Sequence, residues 1–161
     1  MALDQTHDPA LRSWVTSAHE AGADFTIQNL PLGVMTVGSE ARPAVAIGDR
    51  AVDLRHARDA GLLGTLPREV ASALDGDTLN ALFALGRPAL RTLRAAVSAM
   101  LRADTEPGKR AAADPHLART ISEAEMRLPV EVGDFTDFYA SVDHATNVGS
   151  MFRPDNPLLP N

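Results

Sequence analysis

Two short stretches with alternating apolar residues flank a glycine-containing link, and this pattern constrains the fold more than any other in the chain. Val45 and Ile47 precede Gly48-Asp49-Arg50, and Val52 and Leu54 repeat the same spacing after it. Because successive side chains of a strand point to opposite faces, period two predicts half-buried strands. A short link with glycine suits an antiparallel hairpin. The sequence therefore predicts a small antiparallel sheet or barrel, with extended stretches at 25–30, 33–37, 44–47 and 51–54.

Helical patterns surround this predicted sheet. Asp8 followed by Pro9 is typical of a helix start, and Gly22 of a helix end, so a first helix is expected between them. Apolar residues recur at helical spacing in three later segments, which predicts helices at 67–74, at 78–85 and from Pro88 onward. The expected fold class is therefore α+β.

The amino-acid composition changes between residues 103 and 118. This stretch combines Pro, Gly, charged and small residues without a clear period, which is typical of a linker. Four of the seven aromatic residues lie in the last 27 positions, beyond it. We therefore predict two domains, 1–118 with the linker and 119–161.

Composition excludes several functional classes. The 161 residues carry a net charge of −6, which argues against nucleic acid and anionic membranes as partners. Cysteine is absent, which excludes disulfides, thiolate catalysis and zinc–thiolate sites. There is no apolar run of the roughly 20 residues that a spanning helix needs. The N-terminal residues lack the features of a secretory signal, so we expect a cytoplasmic protein.

Residues 134–153 concentrate the side chains that can do chemistry. The Asp137 carboxylate is a hard oxygen ligand suited to Mg²⁺ or Ca²⁺. His144 can take a proton from water near neutral pH. Arg153 offers a planar fork for a substrate carboxylate, and Tyr139 can hydrogen-bond a substrate oxygen. Together these groups would fit metal-assisted hydrolysis of an anionic substrate.

A structural interpretation of the same residues stays open at this point. Asp143 is expected to cap a helix that starts at His144. In the structural interpretation Asp143 would be only this cap, His144 a satisfied residue at the helix start, and Asp137 a turn former. Arg153 could be a surface charge. One carboxylate does not make a metal site, and the spacing matches no metal signature.

The motif D-F-T-D-F-Y-A-S-x-x-H-A-T-N-V-G-x-M-F-R at 134–153, followed by L-L-P-N at 158–161, resembles the fumarylacetoacetase family. F-T-I-Q-N-L-P-L-G-V at 25–34, V-A-I-G-D-R at 45–50 and L-N-A-L-F-A-L-G at 79–86 resemble the N-terminal domain of that family. The resemblance covers most of the chain, loosely before Arg127 and closely after it.

The resemblance implies a fold and a reaction. The family has an SH3-like β-barrel N-terminal domain with added helices, and then a β-rich mixed roll that holds the active site at a homodimer. The roll would therefore begin within 119–161. The family hydrolyses a carbon–carbon bond of 4-fumarylacetoacetate to give fumarate and acetoacetate, in tyrosine and phenylalanine catabolism.

The resemblance also implies a role for each matching residue. Asp137 falls on a metal ligand, with Ca²⁺ or Mg²⁺ as the cofactor. Tyr139 and Arg153 fall on substrate-contacting positions, and His144 on the general base. The remaining metal ligands of the family lie beyond the position of Asn161, so we expect this chain to be a fragment that is inactive alone. Glu123 and Glu125 precede the motif and are interpreted as a solvated surface pair.

Two alternatives remain from the sequence. One keeps a hydrolase but changes its substrate to another β-diketo acid, such as an acylpyruvate. The other is a non-catalytic interaction module built on the barrel, since barrels of this kind host many functions.

Overall fold

A computed structural model describes residues 3–158, and its chain forms two compact units. The first unit is Met1–Glu131 and the second is Val132–Asn161. The predicted boundary at residue 118 lies earlier than this division. The assignment of the chain to the two family domains stays a prediction.

The first unit contains a five-stranded antiparallel sheet. Its strands lie in the order β4-β3-β2-β1-β5, and all four neighbouring pairs are antiparallel. The strands are β1 Leu32–Val37, β2 Glu40–Ile47, β3 Arg50–Asp53, β4 Ala118–Thr120 and β5 Met126–Arg127. The predicted α+β class and the hairpin at Gly48 are thereby confirmed. Within residues 3–158 the sheet is open, with β4 and β5 as its two edges, and the SH3-like barrel stays a prediction.

The two faces of the sheet carry different cores because side chains alternate along each strand. Val34, Val45 and Val52 point into the main core, which the helices complete. Met35 and Ala44 point to the opposite face and belong to a second, smaller cluster. Period two therefore marks real strands here, and a shift of register by one residue would exchange the two cores.

The second face is covered by residues 121–125, which we call the strap. It leaves β4 at one edge of the sheet and reaches β5 at the other edge. Ile121 and Ala124 pack against the smaller cluster. The strap is held at both ends, because the Ile121 amide donates to the Asp49 carbonyl and the Thr36 amide donates to the Glu125 carbonyl, each at 2.8 Å.

Helices cover the main core. The longest, α4, has Leu93, Val97 and Leu101 buried along one stripe. The helices are α1 Leu54–Asp59, α2 Arg68–Ala73, α3 Asn80–Ala84, α4 Gly86–Leu101, α5 Glu106–Ala112 and, in the second unit, α6 Val142–Phe152. The three helices predicted between residues 67 and about 101 are confirmed in type, with small differences at their ends.

The predicted N-terminal helix between Asp8 and Gly22 is wrong. The structure has two short 3₁₀ helices instead, Gln5–His7 and Thr16–His19. Between them the backbone forms a hydrogen bond with α4, since the Trp14 amide donates to the Leu101 carbonyl at 3.2 Å. Long-range contacts thus replace the helical ones that the apolar spacing suggested.

Residues 103–118, for which composition predicts a linker, contain a capped helix. Thr105 Oγ1 accepts from the Gly108 amide at 3.0 Å, and Pro107 lies in the first turn, where its missing amide hydrogen is not needed. Ala111 of this helix is buried in the main core. The stretch is therefore part of the first unit.

Asp114 stabilises the junction after α5 in a pH-dependent way. Its carboxylate lies 2.8 Å from Nε2 of His56 on α1 and accepts from the His116 amide at 2.9 Å. The hydrogen bond from His56, followed by that from His116, lowers the pKa of Asp114 below its ordinary value. A lowered folded-state pKa stabilises the fold above the unfolded-state pKa, and this stabilisation is lost as pH falls through the folded-state pKa.

We expect Asp114→Asn to lower the free energy of unfolding by about 1 kcal/mol at pH 7. The difference from the wild type should shrink as pH falls below about 4, the ordinary aspartate range. Urea unfolding at several pH values measures this. Asp24→Asn is the control, because the exposed Asp24 side chain makes no hydrogen bond within residues 3–158. A cost that does not change with pH would contradict the assigned cause.

No helix within residues 3–158 is both long and apolar enough to cross a membrane. The cytoplasmic location stays a prediction.

Candidate active site

Within residues 132–158 the second unit consists of an irregular segment, helix α6 and a closing turn. Residues 132–140 have no regular structure, and α6 begins after Ser141. Ser141 Oγ accepts from the His144 amide at 3.1 Å, so Ser141 is the N-cap. The prediction that Asp143 caps the helix is wrong. Asp143 lies in the first turn, where its negative charge favours the helix dipole. Residues 132–158 contain no strand, so they show no part of the predicted β-rich roll.

His144 and Tyr139 are brought together at the start of α6. Their rings pack edge to face, with centroids 5.4 Å apart and planes at 87°. Nδ1 of His144 accepts from the Ala140 amide at 3.3 Å. A neutral ring that accepts at Nδ1 carries its proton on Nε2. The irregular segment and the helix are therefore joined through the imidazole.

Arg153 lies at the other end of α6, where the helix stops. Its amide donates to the Gly149 carbonyl at 2.7 Å, and its Nη2 donates to the Pro157 carbonyl at 3.3 Å. The remaining guanidinium hydrogens point to no acceptor within residues 3–158, and the residue is exposed. The fork is thus held by one neutral contact and stays available to an anion.

A cavity of about 590 Å³ lies between the start of α6 and the turn that follows this helix. Tyr139 and Arg153 both line it, so two of the four predicted site residues share one cavity. His144 is joined to it through its contact with Tyr139. The other lining residues are Ser141, Val142, Ala145, Pro157 and Leu158. Residues 159–161, the end of the L-L-P-N match, lie outside the described residues.

Asp137 does not line the cavity that Tyr139 and Arg153 share, and its side chain forms no hydrogen bond with His144. Its side chain is exposed and makes no hydrogen bond or ion pair within residues 3–158. Nor does that part of the chain contain a group of three or more His, Asp or Glu side chains that could hold a metal ion. Since Ca²⁺ and Mg²⁺ need about six oxygen ligands, the described residues do not by themselves fit the implied ion. Glu123 and Glu125 are exposed, as expected.

Gly149 allows the closing turn to approach the helix. A Cβ at this position would lie 2.7 Å from the Pro157 carbonyl carbon and still closer to its oxygen. Both contacts are with backbone, so rotation of a side chain cannot relieve them. The residue is buried although nearly all of α6 is not. Sequence spacing gives no sign of Pro157 as the group that this glycine accommodates.

We expect Gly149→Ala to displace the turn at 153–158, although alanine normally stabilises a helix by about 1 kcal/mol relative to glycine. The amide of Arg153 should lose its hydrogen bond to residue 149, and the Arg153 guanidinium should leave the cavity. Amide hydrogen exchange at Arg153 and Asn156 measures the change. Gly133→Ala is the control, because nothing lies within 4 Å of a Cβ at Gly133. Unchanged protection at both amides would show that the turn tolerates a Cβ.

Residues 28–129 match the family model described as fumarylacetoacetase N-terminal. This match defines the class of the first unit, and the α+β architecture with its open sheet is consistent with it.

The match to the rice relative extends the similarity into the second unit. The chain is 44% identical over 159 residues to a fumarylacetoacetase of Oryza sativa subsp. japonica, covering 94% of this chain and 36% of the relative. It is 41% identical over 149 residues to a fumarylacetoacetase of Rattus norvegicus, covering 86% of this chain and 34% of the relative. This chain belongs to the fumarylacetoacetase family. It spans about a third of the length of these curated relatives.

Proposed function

We propose that this chain supplies the first part of a fumarylacetoacetase, which hydrolyses 4-fumarylacetoacetate to fumarate and acetoacetate in tyrosine and phenylalanine catabolism. The observation that carries the proposal is the 44% identity to the rice relative over 94% of the chain, since a match of this extent leaves only about ten residues unmatched and so reaches the segment with Tyr139 and His144. The sheet unit then corresponds to the SH3-like domain of the family, and the full enzyme is a homodimer.

In this proposal Arg153 and Tyr139 bind the substrate. The exposed Arg153 fork pairs with a substrate carboxylate, and the Tyr139 hydroxyl donates to a carbonyl oxygen. Because both residues line one cavity, the two contacts fix the substrate at two points. Fixing both ends aligns the carbonyl carbon with the attacking water.

His144 acts as the general base. It removes a proton from water while the hydroxyl oxygen bonds to the carbonyl carbon. The carbon–carbon bond then breaks, its electron pair passes to the acetoacetate part as an enolate, and the enolate takes up a proton. This role requires a free lone pair on Nε2. The proton must therefore lie on Nδ1 and be donated to an acceptor such as a carboxylate, in place of the contact with the Ala140 amide.

A divalent ion, Ca²⁺ or Mg²⁺, is the proposed cofactor, with Asp137 as one of its ligands. Asp137 supplies a single carboxylate, so the other ligands must come from groups outside residues 3–158. We therefore assign no catalytic step to the ion. For the same reason we expect the 161-residue chain to be inactive when it is alone.

A chimaera tests the proposal. This chain replaces the matched segment of the rice relative, and the product is assayed with fumarylacetoacetate and with an acylpyruvate. We expect hydrolysis of fumarylacetoacetate by the chimaera and none by the 161-residue chain. Preference for the acylpyruvate would indicate a different β-diketo acid as substrate. A folded chimaera without activity on either would contradict the proposal and favour a non-catalytic interaction module.

A further inference from the structure

The first unit contains a second cavity, of about 290 Å³, between α4 and the sheet. Seven of its eight lining residues are apolar. Leu93 and Val97 form its buried wall, while Phe83 is 43% exposed and reaches solvent. Other apolar lining residues include Leu32, Val45 and Leu90. Water gains few hydrogen bonds in such a space, so an apolar chain would replace it favourably.

Arg94 is the polar residue of this lining. Its guanidinium donates to three neutral acceptors, which are Thr6 Oγ1 at 2.8 Å, the Asn29 carbonyl at 2.9 Å and the Gln28 carbonyl. An arginine has five N–H groups, so two of them are left over. Within residues 3–158 it has no carboxylate within 4.0 Å, although Asp4 acts on it from a greater distance.

The charge of Arg94 is therefore only partly compensated. Burial lowers the pKa of Arg94, which shows that its surroundings disfavour the cation, yet arginine keeps its proton at any physiological pH. A carboxylate at the two remaining N–H groups would restore the missing charge and form charge-assisted hydrogen bonds. Inorganic anions would supply the charge but would leave the apolar walls uncovered.

We propose that this cavity binds a small monocarboxylate with a single apolar chain, of the class of short and medium-chain fatty acids. The carboxylate pairs with Arg94, and the chain lies along α4 against Leu90, Leu93 and Val97. The volume is at the low end for ligand pockets, which fits one short chain and not a two-chain lipid. The site lies entirely within the first unit and is separate from the Tyr139 cavity.

Titration of the full chain with octanoate, 1-octanol and octylammonium tests the proposal by calorimetry and by methyl NMR. Octanoate should bind saturably at one site and shift the methyl signals of Leu90, Leu93 and Val97. Octanol cannot form charge-assisted hydrogen bonds with Arg94, so its affinity should be lower than that of octanoate by about tenfold or more. Octylammonium should not bind. Equal affinity for octanoate and octanol, or shifts confined to other methyl groups, would overturn the proposal.

Two variants separate binding from folding. Leu90→Trp places a ring in the cavity while leaving the Arg94 contacts intact, and it should abolish octanoate binding. Arg94→Met should reduce octanoate affinity to that of octanol, and Arg91→Met, on the exposed side of the same helix, should change nothing. Arg94 also donates hydrogen bonds to Thr6 and to the Gln28 carbonyl, which Arg94→Met removes. If Arg94→Met fails to fold for this reason, Leu90→Trp alone tests the proposal. Octanoate binding by Leu90→Trp at the wild-type affinity would place the ligand elsewhere.

Discussion

Replacing His144 with alanine should reduce kcat for fumarylacetoacetate by about 10²–10⁴-fold in the chimaera with the rice relative, the range typical of a lost general base. KM should change much less, because the proposed substrate contacts belong to Tyr139 and Arg153. The start of α6 should survive the substitution, since its cap is formed by the backbone amide of residue 144 and Ser141 Oγ. Steady-state kinetics of the purified chimaera measures both constants.

His116→Ala is the matched control. His116 is an exposed histidine of the first unit, and its contribution to the structure is a backbone amide bond to Asp114, which alanine keeps. The control should retain wild-type kcat. Activity of His144→Ala within a few-fold of the wild type would refute the assigned role.

Gly48→Ala should cost about 2–5 kcal/mol of the free energy of unfolding of the first unit, by adding backbone strain to overpacking. Gly48 has φ of +55°, in the left-handed region where a Cβ is unfavourable. A Cβ there would also lie 2.7 Å from the Ala18 amide nitrogen and closer still to Ser17 Oγ. The N-terminal segment packs directly on this turn, so relief would require moving its backbone.

Gly38→Ala separates the two contributions. Gly38 lies in the neighbouring β1–β2 turn with φ of +64°, but nothing lies within 4 Å of its Cβ position. It should cost only about 1–2 kcal/mol, the strain of the left-handed region alone. Urea unfolding followed by Trp14 fluorescence reports on the first unit, because Trp14 is the single tryptophan and its Nε1 donates to the Met100 carbonyl. Equal costs for the two variants would show that the close approach at Gly48 is unimportant.

Elements with a local signal can be predicted from the sequence. The hairpin at Gly48 and the stripe of α4 follow from period and spacing alone. The expected strand at 25–30 is wrong, because the chain turns there and Leu30 adopts φ of +52°. Its apolar residues Ile27 and Leu30 are buried without pairing as a strand. A buried segment that does not pair with a neighbouring strand can have the same apolar residues as a strand, so the sequence does not distinguish the two.

The candidate site shows the same division. The motif predicts site roles for Tyr139, His144 and Arg153, and these roles stay predictions. The observed N-cap of α6, Ser141, lies two residues before the predicted cap, Asp143, because Ser and Asp both suit that position. The meeting of Tyr139 and Arg153 in one cavity could not be predicted from their spacing. It depends on the turn after Arg153 approaching Gly149, which is a contact between backbone groups that no residue pattern encodes.

The strap has a consequence for how the first unit forms during synthesis. Strand β3 pairs Arg50 with Thr120, and β1 pairs Met35 with Met126, so both outer ladders join segments far apart in the chain. Contacts between distant segments slow folding, because loop closure is completed before they contribute. The β1–β3 hairpins can form early, but their second face stays uncovered until residues 121–127 leave the ribosome. Nascent chains that pause before this point would expose Met35 and Ala44. We expect a chaperone to be needed most at this stage of synthesis.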